Sequence, residues 1–471
     1  MSTTEINKAD MSSVPADGED LDQMPSGGWR NSVRIPSLPE VFRSIPVPAN
    51  ATFWRRFLAF FGPGYIVAVG YMDPGNWATD ISGGSVYNYR LMSVILLSNF
   101  TAIFLQCLAA KLGIVTGRDL AQGCHDAYKK PVSIFLWLSA EVGIVACDIA
   151  EVIGAGIALN LLFHIPLIIG CALTALDVLI VLALQGKGFR YVEALVITLI
   201  GSMMVIFGIE LIYARPEWAL AFRGLIPQAE IVKDPAMLYI ALGILGATVM
   251  PHNLYLHSSI VQTRSFGRSL KELKGAIQSS YTDLTVALML ALFVNAAILI
   301  LAAAVFYRSG HHEIGDIQGA YKMLTPLMGV GIATPLFAIA LLASGQNSTL
   351  TGTMAGQVIL EGFTNFRLAP WMRRMISRLL AIIPTLIVVG HYGMAGTGKL
   401  LIFSQVILSV QLSFAVIPLV AFTCDKIKMG TFVNGLTTKV IGWTLAAVIF
   451  GLNAYLVYTT IVPSAAPPGT S

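Results

Sequence analysis

The sequence predicts an all-α integral membrane protein of about eleven transmembrane helices, built as an inverted repeat with a broken helix opening each half. Three observations carry this. Hydrophobic residues make up 55% of the 471-residue chain and charged residues only 12%, about half the charge of a soluble protein, and the mean hydropathy is +0.72. Apolar runs long enough to cross a bilayer as helices recur along the chain. Two of those runs are interrupted by proline and polar residues at matching places in the two halves.

Residues 1–50 are polar, with Ser, Pro, Gly and acids such as Asp17, Glu19, Asp20 and Asp22. They read as a disordered cytoplasmic tail. No basic region followed by an apolar core begins the chain, so no cleavable signal peptide is expected. A transporter domain is expected over 51–462 and a short external tail over 463–471. The expected spans are 60–86, 91–112, 132–162, 165–184, 191–213, 237–261, 283–306, 330–358, 377–393, 399–422 and 440–461. The eighth is the least clean, because Gly345, Gln346 and Asn347 interrupt it.

Loop charges set the orientation. With the N-terminus inside, the cytoplasmic flanks hold 19 Lys and Arg residues and the external flanks 7, the other 4 lying in the tail. That asymmetry follows the positive-inside rule and puts the C-terminus outside. A multi-pass protein of the plasma (inner) membrane is expected. The net charge of +4 is a matter of topology and not of nucleic-acid binding. Cys107, Cys124, Cys147, Cys171 and Cys424 suggest no disulfide framework. Spans one to five and six to ten then lie in opposite orientations, the arrangement of inverted-topology repeats.

The first interrupted span, GPGYIVAVGYMDPGNWATDISGG over Gly62–Gly84, carries Asp73, Pro74, Gly75 and Asn76 at its middle. Proline removes a donor and clashes with the preceding turn, and glycine adds backbone freedom, so the helix breaks there. Irregular backbone at membrane depth survives only where it is buried in protein or lines a cavity. A carboxylate beside freed carbonyls makes a cation the natural ligand. The second interrupted span, LGILGATVMPHNLYLH, aligns Met250-Pro251-His252-Asn253 with that quartet. Asp73 and Asn76 offer oxygens, Met250 a thioether, and the freed carbonyls near Gly70 and Ala247 complete a shell. Hard oxygens with one soft sulfur suit a divalent first-row ion such as manganese or iron, and also cadmium. Gln405, in a later apolar span, can join once the cavity closes.

Glu141, Asp148 and Glu151 fall within about 80° of arc on one face of the third span. Intramembrane acids mark proton relays or ion paths; the alternative is structural pairing with Arg378 or Arg374. His252 and His257 follow the second break and are suited to passing a proton near neutral pH. Asn99, Gln106 and Asn295 read as helix–helix hydrogen bonders, and Asp283 as the charge at the start of a helix. No GxxxxGK[ST] loop is present, so an ion gradient is the expected energy source. No hydrolase or redox constellation appears, and no enzyme activity is expected.

DPGN at Asp73–Asn76 with MPH at Met250–His252, flanked by GPG at Gly62–Gly64 and SQV at Ser404–Val406, resembles the Nramp family of proton-coupled divalent metal transporters. The likeness spans about residues 55–460. It implies a leucine-transporter-type fold. It also implies metal binding by Asp73, Asn76, Met250, Ala247 and Gly70, with Gln405 added in an occluded state. The family's proton route would map onto His252, Asp148, Glu151 and an arginine, Arg378 or its rival Arg374. Magnesium-carrying relatives lack the methionine, so its presence points to manganese and iron. The short loops resemble the bacterial manganese-uptake branch. The resemblance implies metal and protons as transported ions, no prosthetic group and no obligate protein partner. Two rivals remain at this point: a sodium-coupled amino-acid carrier of the same fold, which Asp73 would disfavour by repelling a substrate carboxylate, and a metal-binding receptor.

Overall fold

The computed structural model describes residues 29, 36–47, 53–176, 188–311, 317–328, 331 and 333–461. A short helix α1 (Phe53–Phe60) leads into α2 (Pro63–Gly70) and α3 (Pro74–Tyr87), the two halves of the first broken helix. There follow α4 (Met92–Thr116), α5 (Leu120–Ala127), α6 (Lys130–Phe163), α7 (Leu167–Leu173) and α8 (Phe189–Ala214). The second half opens with α9 (Pro235–Thr248) and α10 (Pro251–Ile260), the second broken helix. It continues with α11 (Leu270–Ala302), α12 (Ile317–Met328) and α13 (Ala333–Thr364). The last helices are α14 (Pro370–Gly393), α15 (Gly396–Thr423) and α16 (Leu436–Ile461).

Local chemistry sets these ends. Pro63, Pro74, Pro235 and Pro251 each open a helix, where a missing N–H costs nothing. Asp73, Asp119 and Ser269 cap α3, α5 and α11 by accepting backbone N–H groups. Gly117 ends α4 in the left-handed region, at φ 65°.

Among the described residues, eight helices are long and apolar enough to cross a membrane. The other expected spans take different forms. The first is the α2–α3 pair, whose second half runs on into α4. The fourth is described over Leu167–Leu176, and its remainder, 177–184, lies outside the described residues. The eighth is α13, one unbroken helix. Its polar middle, Ser344 to Thr353, is buried within the bundle except for the half-buried Gln346, and Gly345-Gln346-Asn347 does not interrupt it.

Two further expectations change. Part of the 1–50 stretch is held in place: Ile45–Pro46 pairs in parallel with Arg264–Ser265, and Ser37 donates to Asp119 at 2.6 Å. Residues 1–28 and the tail over 463–471 lie outside the described residues. Asp283 does not begin a helix, because α11 starts at Leu270. Its carboxylate accepts from the backbone N–H groups of Gly62 (3.1 Å) and Gly64 (2.7 Å). It therefore faces the positive N-terminus of α2, a helix more than two hundred residues earlier.

The broken helices sit at the centre. α11 packs against α2, α3 and α4; α6 packs against α13 and the α14–α15 pair; α9 lies between α3 and α15. Exposed apolar side chains on α8, α14 and α16, such as Ile212, Leu380 and Val448, form the surface a bilayer would cover.

Candidate metal centre between the broken helices

The first break releases three backbone carbonyls. After Gly70 the chain tightens, with Tyr71 N–H donating to Ala68 O and Met72 N–H to Val69 O, each at 3.0 Å. Tyr71 O accepts from Asn295 Nδ2 at 2.8 Å. Met72 O accepts from Ser344 Oγ at 2.5 Å and Trp77 Nε1 at 3.3 Å. Gly70 O has only a long contact, 3.5 Å from Asn76 Nδ2. So two of the released carbonyls are held by neighbouring helices, and the third is left for the centre.

Asn76 ties the two breaks together. Its Nδ2 donates to Asp73 Oδ1 at 2.8 Å and to Ala247 O, in the last turn of α9, at 3.1 Å. Asp73 Oδ1, Ala247 O and Gly70 O thus converge on one point, the pattern of oxygens gathered for a cation. Turning the Asn76 amide over would set its oxygen, in place of the nitrogen, beside these three oxygens, an arrangement that needs a cation among them. Asp73 is fully buried, and its Oδ2 has no hydrogen-bond partner. An ionised carboxylate left that way is costly, so the site is built for a positive ligand or a proton.

Met250 precedes Pro251 at the cap of α10 and is fully buried. A Cβ on Gly70 would collide with the Asn253 amide and lie 3.3 Å from the Met250 Sδ, so bare Gly70 leaves room for both side chains beside the first break. Gln405 covers Gly75, where a Cβ would collide with its amide. Its Nε2 donates to Ser404 Oγ at 3.0 Å, and its Oε1 is unpartnered. Gly70, Asp73, Asn76, Ala247, Met250 and Gln405 are therefore all gathered at the junction. Among the described residues no cluster of three His, Cys, Asp or Glu side chains could hold a metal; the donors here are one carboxylate, amides, carbonyls and a thioether.

The acids of α6 face α14. Arg374 bridges Asp148 (2.5 Å) and Glu151 (2.8 Å). Arg378, one turn on, reaches Glu151 at 3.2 Å and Thr349 Oγ1 at 2.9 Å. Both arginines are buried because α14 begins at Pro370, several residues before the expected 377. Of the two rivals, Arg374 makes the shorter ion pairs, one to each acid. Glu141 stands apart, paired with Arg373 at 2.5 Å nearer the surface.

His252 Nε2 lies 3.9 Å from Cys147 Sγ, which lies 3.8 Å from Glu151 Oε1. A polar path thus joins α10 to the acid pair. His257 belongs to a different chain: its Nδ1 meets Gln106 Oε1 at 3.1 Å, and Gln106 donates to the Tyr71 hydroxyl at 2.9 Å. Gln106 and Asn295 do make the helix–helix hydrogen bonds expected of them, whereas Asn99 Nδ2 finds no partner. Sequence reasoning missed Ser344, Cys147 and Thr349. The polar run in α13 was the available signal for Ser344 and Thr349; Cys147 had none, since a thiol in an apolar run reads as packing.

A family model described as natural resistance-associated macrophage protein-like matches residues 64–459. The divalent metal cation transporter MntH of Listeria monocytogenes serotype 4a is 58% identical over 443 residues, 94% of this chain and 99% of its own. The crystal structure of the Eremococcus coleocola manganese transporter, in complex with an aromatic bis-isothiourea substituted compound, matches with a TM-score of 0.84. That match has 40% identity and covers 93% of each chain. Mhp1, a nucleobase-cation-symport-1 family transporter, matches at 12% identity with a TM-score of 0.57. It covers 90% of this chain and 94% of Mhp1, and shares the fold alone. The arrangement of the two broken helices and the similarity along nearly the whole chain lead to one conclusion: this protein belongs to the Nramp family.

Proposed function

We propose that this chain is a secondary transporter that imports manganese or ferrous iron, and also cadmium, together with protons. A divalent metal cation transporter, and not an enzyme, is what its family membership makes it. The observation that carries the finer reading is the convergence of Asp73 Oδ1, Gly70 O and Ala247 O on the Asn76 amide, with the Met250 thioether beside it. Oxygens alone would suit magnesium or calcium; the sulfur favours softer first-row ions.

In this reading Asp73, Asn76, Met250 and the two carbonyls hold the ion, and the Gln405 amide oxygen joins them when the cavity closes. Movement of the broken helices against the surrounding bundle opens the centre first to the outside and then to the cytoplasm. Protons travel by His252 and the Asp148–Glu151 pair, with Arg374 and Arg378 balancing the charge. Glu141, paired with Arg373, and His257, bonded to Gln106, are the further proton-path candidates beside this route. The N-terminus is cytoplasmic and the C-terminus external.

The test uses purified protein in vesicles that contain a metal-quenched dye and a pH dye. Manganese is added across an inward proton gradient, with excess magnesium and calcium as competitors. Manganese entry that resists magnesium and is accompanied by internal acidification is the expected result. Magnesium entering as readily as manganese would remove the role given to Met250. Metal entry without acidification would remove the proton coupling.

A further inference from the structure

We propose that the groove between the ends of α4 and α11 is a binding site for one anionic phospholipid. The groove encloses about 630 Å³ and is lined by Lys111 of α4, by Lys274, Gln278, Tyr281 and Thr282 of α11, and by Phe432 from the α15–α16 connection. Among the described residues, no Asp or Glu lines it. The α11 residues stand at positions i, i+4, i+7 and i+8, so their polar ends share one helix face. Lys111 is already anchored, its Nζ on Asn434 Oδ1. Lys274 is exposed and has no hydrogen-bond or ion-pair partner among the described residues.

Two ammonium groups with hydroxyl and amide donors around them suit a phosphate diester. The same helix face then turns apolar. Val286, Met289 and Phe293 follow at helical spacing and are each 40–42% exposed, a track along which an acyl chain can lie. A charged head pocket continuous with an apolar track matches a phospholipid better than a free anion. The groove lies at the end of the bundle where basic residues concentrate, the end that the loop charges assign to the cytoplasm. Basic pockets between helices on that side bind anionic headgroups. Because Lys111 also holds Asn434, a bound lipid would tie α4 and α11 to the α15–α16 connection.

The experiment titrates delipidated full-length protein with dioleoylphosphatidylglycerol or dioleoylphosphatidylcholine and reads bound lipid by native mass spectrometry. The wild type is expected to bind the anionic lipid roughly tenfold tighter or more, since each basic residue near a membrane surface favours anionic lipid. Lys274→Gln should lose a large part of that preference, and Lys111→Gln/Lys274→Gln nearly all of it, with phosphatidylcholine binding unchanged. Lys274 has no internal contact to lose, so its single variant tests the site without testing the fold. Lys129→Gln/Lys130→Gln, exposed at the start of α6, should keep the preference. Equal binding of the two lipids by the wild type, or an unchanged preference in Lys274→Gln, would overturn the proposal. So would displacement of the lipid by inorganic phosphate at equal concentration.

Discussion

Replacing Arg374 with methionine should destabilise the protein more than the same change at Arg378. Both arginines face the same buried acids, and all four side chains are no more than 2% exposed. Either change leaves two carboxylates with one guanidinium, so geometry decides the difference. Arg374 makes the short contacts, 2.5 Å to Asp148 and 2.8 Å to Glu151, one nitrogen to each acid. Without it, Arg378 keeps its 3.2 Å contact to Glu151 and its bond to the Asp148 carbonyl, and the Asp148 carboxylate loses its 2.5 Å ion pair. Breaking a buried pair in this way costs ~3–5 kcal/mol. Without Arg378, Arg374 still holds both acids. The losses include a 3.2 Å ion contact and bonds to Thr349 and the Asp148 carbonyl, about 1–3 kcal/mol. Arg374→Lys should fall between, because a single ammonium cannot span two carboxylates as a planar fork can. The assay is denaturant unfolding in mixed micelles, followed by tryptophan fluorescence, with midpoints compared at equal slope. Arg374→Met/Asp148→Asn restores the charge balance and should recover part of the loss. An Arg378→Met midpoint at or below that of Arg374→Met would refute the reasoning.

Asp73→Asn removes the one carboxylate at the centre and should weaken manganese binding by roughly 100-fold or more, since each tenfold is only about 1.4 kcal/mol; calorimetry with affinity retained would contradict the site. Met250→Ala should lower the ratio of manganese to magnesium uptake by roughly tenfold while leaving magnesium entry intact or raised, read from competing fluxes in vesicles; an unchanged ratio would count against the thioether. Gly154→Ala puts a methyl group against the Pro74 ring and should displace the start of α3, reducing uptake by about tenfold through misplacement of the centre. Gly451→Ala, which meets open space, should be silent, and equal effects at the two glycines would remove the packing argument.

Much of the centre was legible because proline and glycine act locally. Pro74 and Pro251 end hydrogen-bond ladders whatever surrounds them, so the breaks, and the donors beside them, could be read from residue order. The bordering arginine was not legible. Arg374 and Arg378 sit one turn apart on the same helix, and only the packing of α14 on α6 decides which one spans the acids. Asp283 shows the same limit. Its charge serves a helix start, as its residue type suggests, but the helix is α2 and not its own.

By itself the sequence determined the membrane environment, the two breaks and the kinds of donor beside them, since these follow from composition and from backbone chemistry within a few residues. Only the tertiary structure decided that Asn76 reaches Ala247 across 171 residues of chain. It also decided that Asn295 and Ser344 hold two of the freed carbonyls and leave Gly70 for the centre. The physical reason is that a released carbonyl takes whichever donor the packing of distant helices brings within 3 Å, and no local pattern encodes that distance.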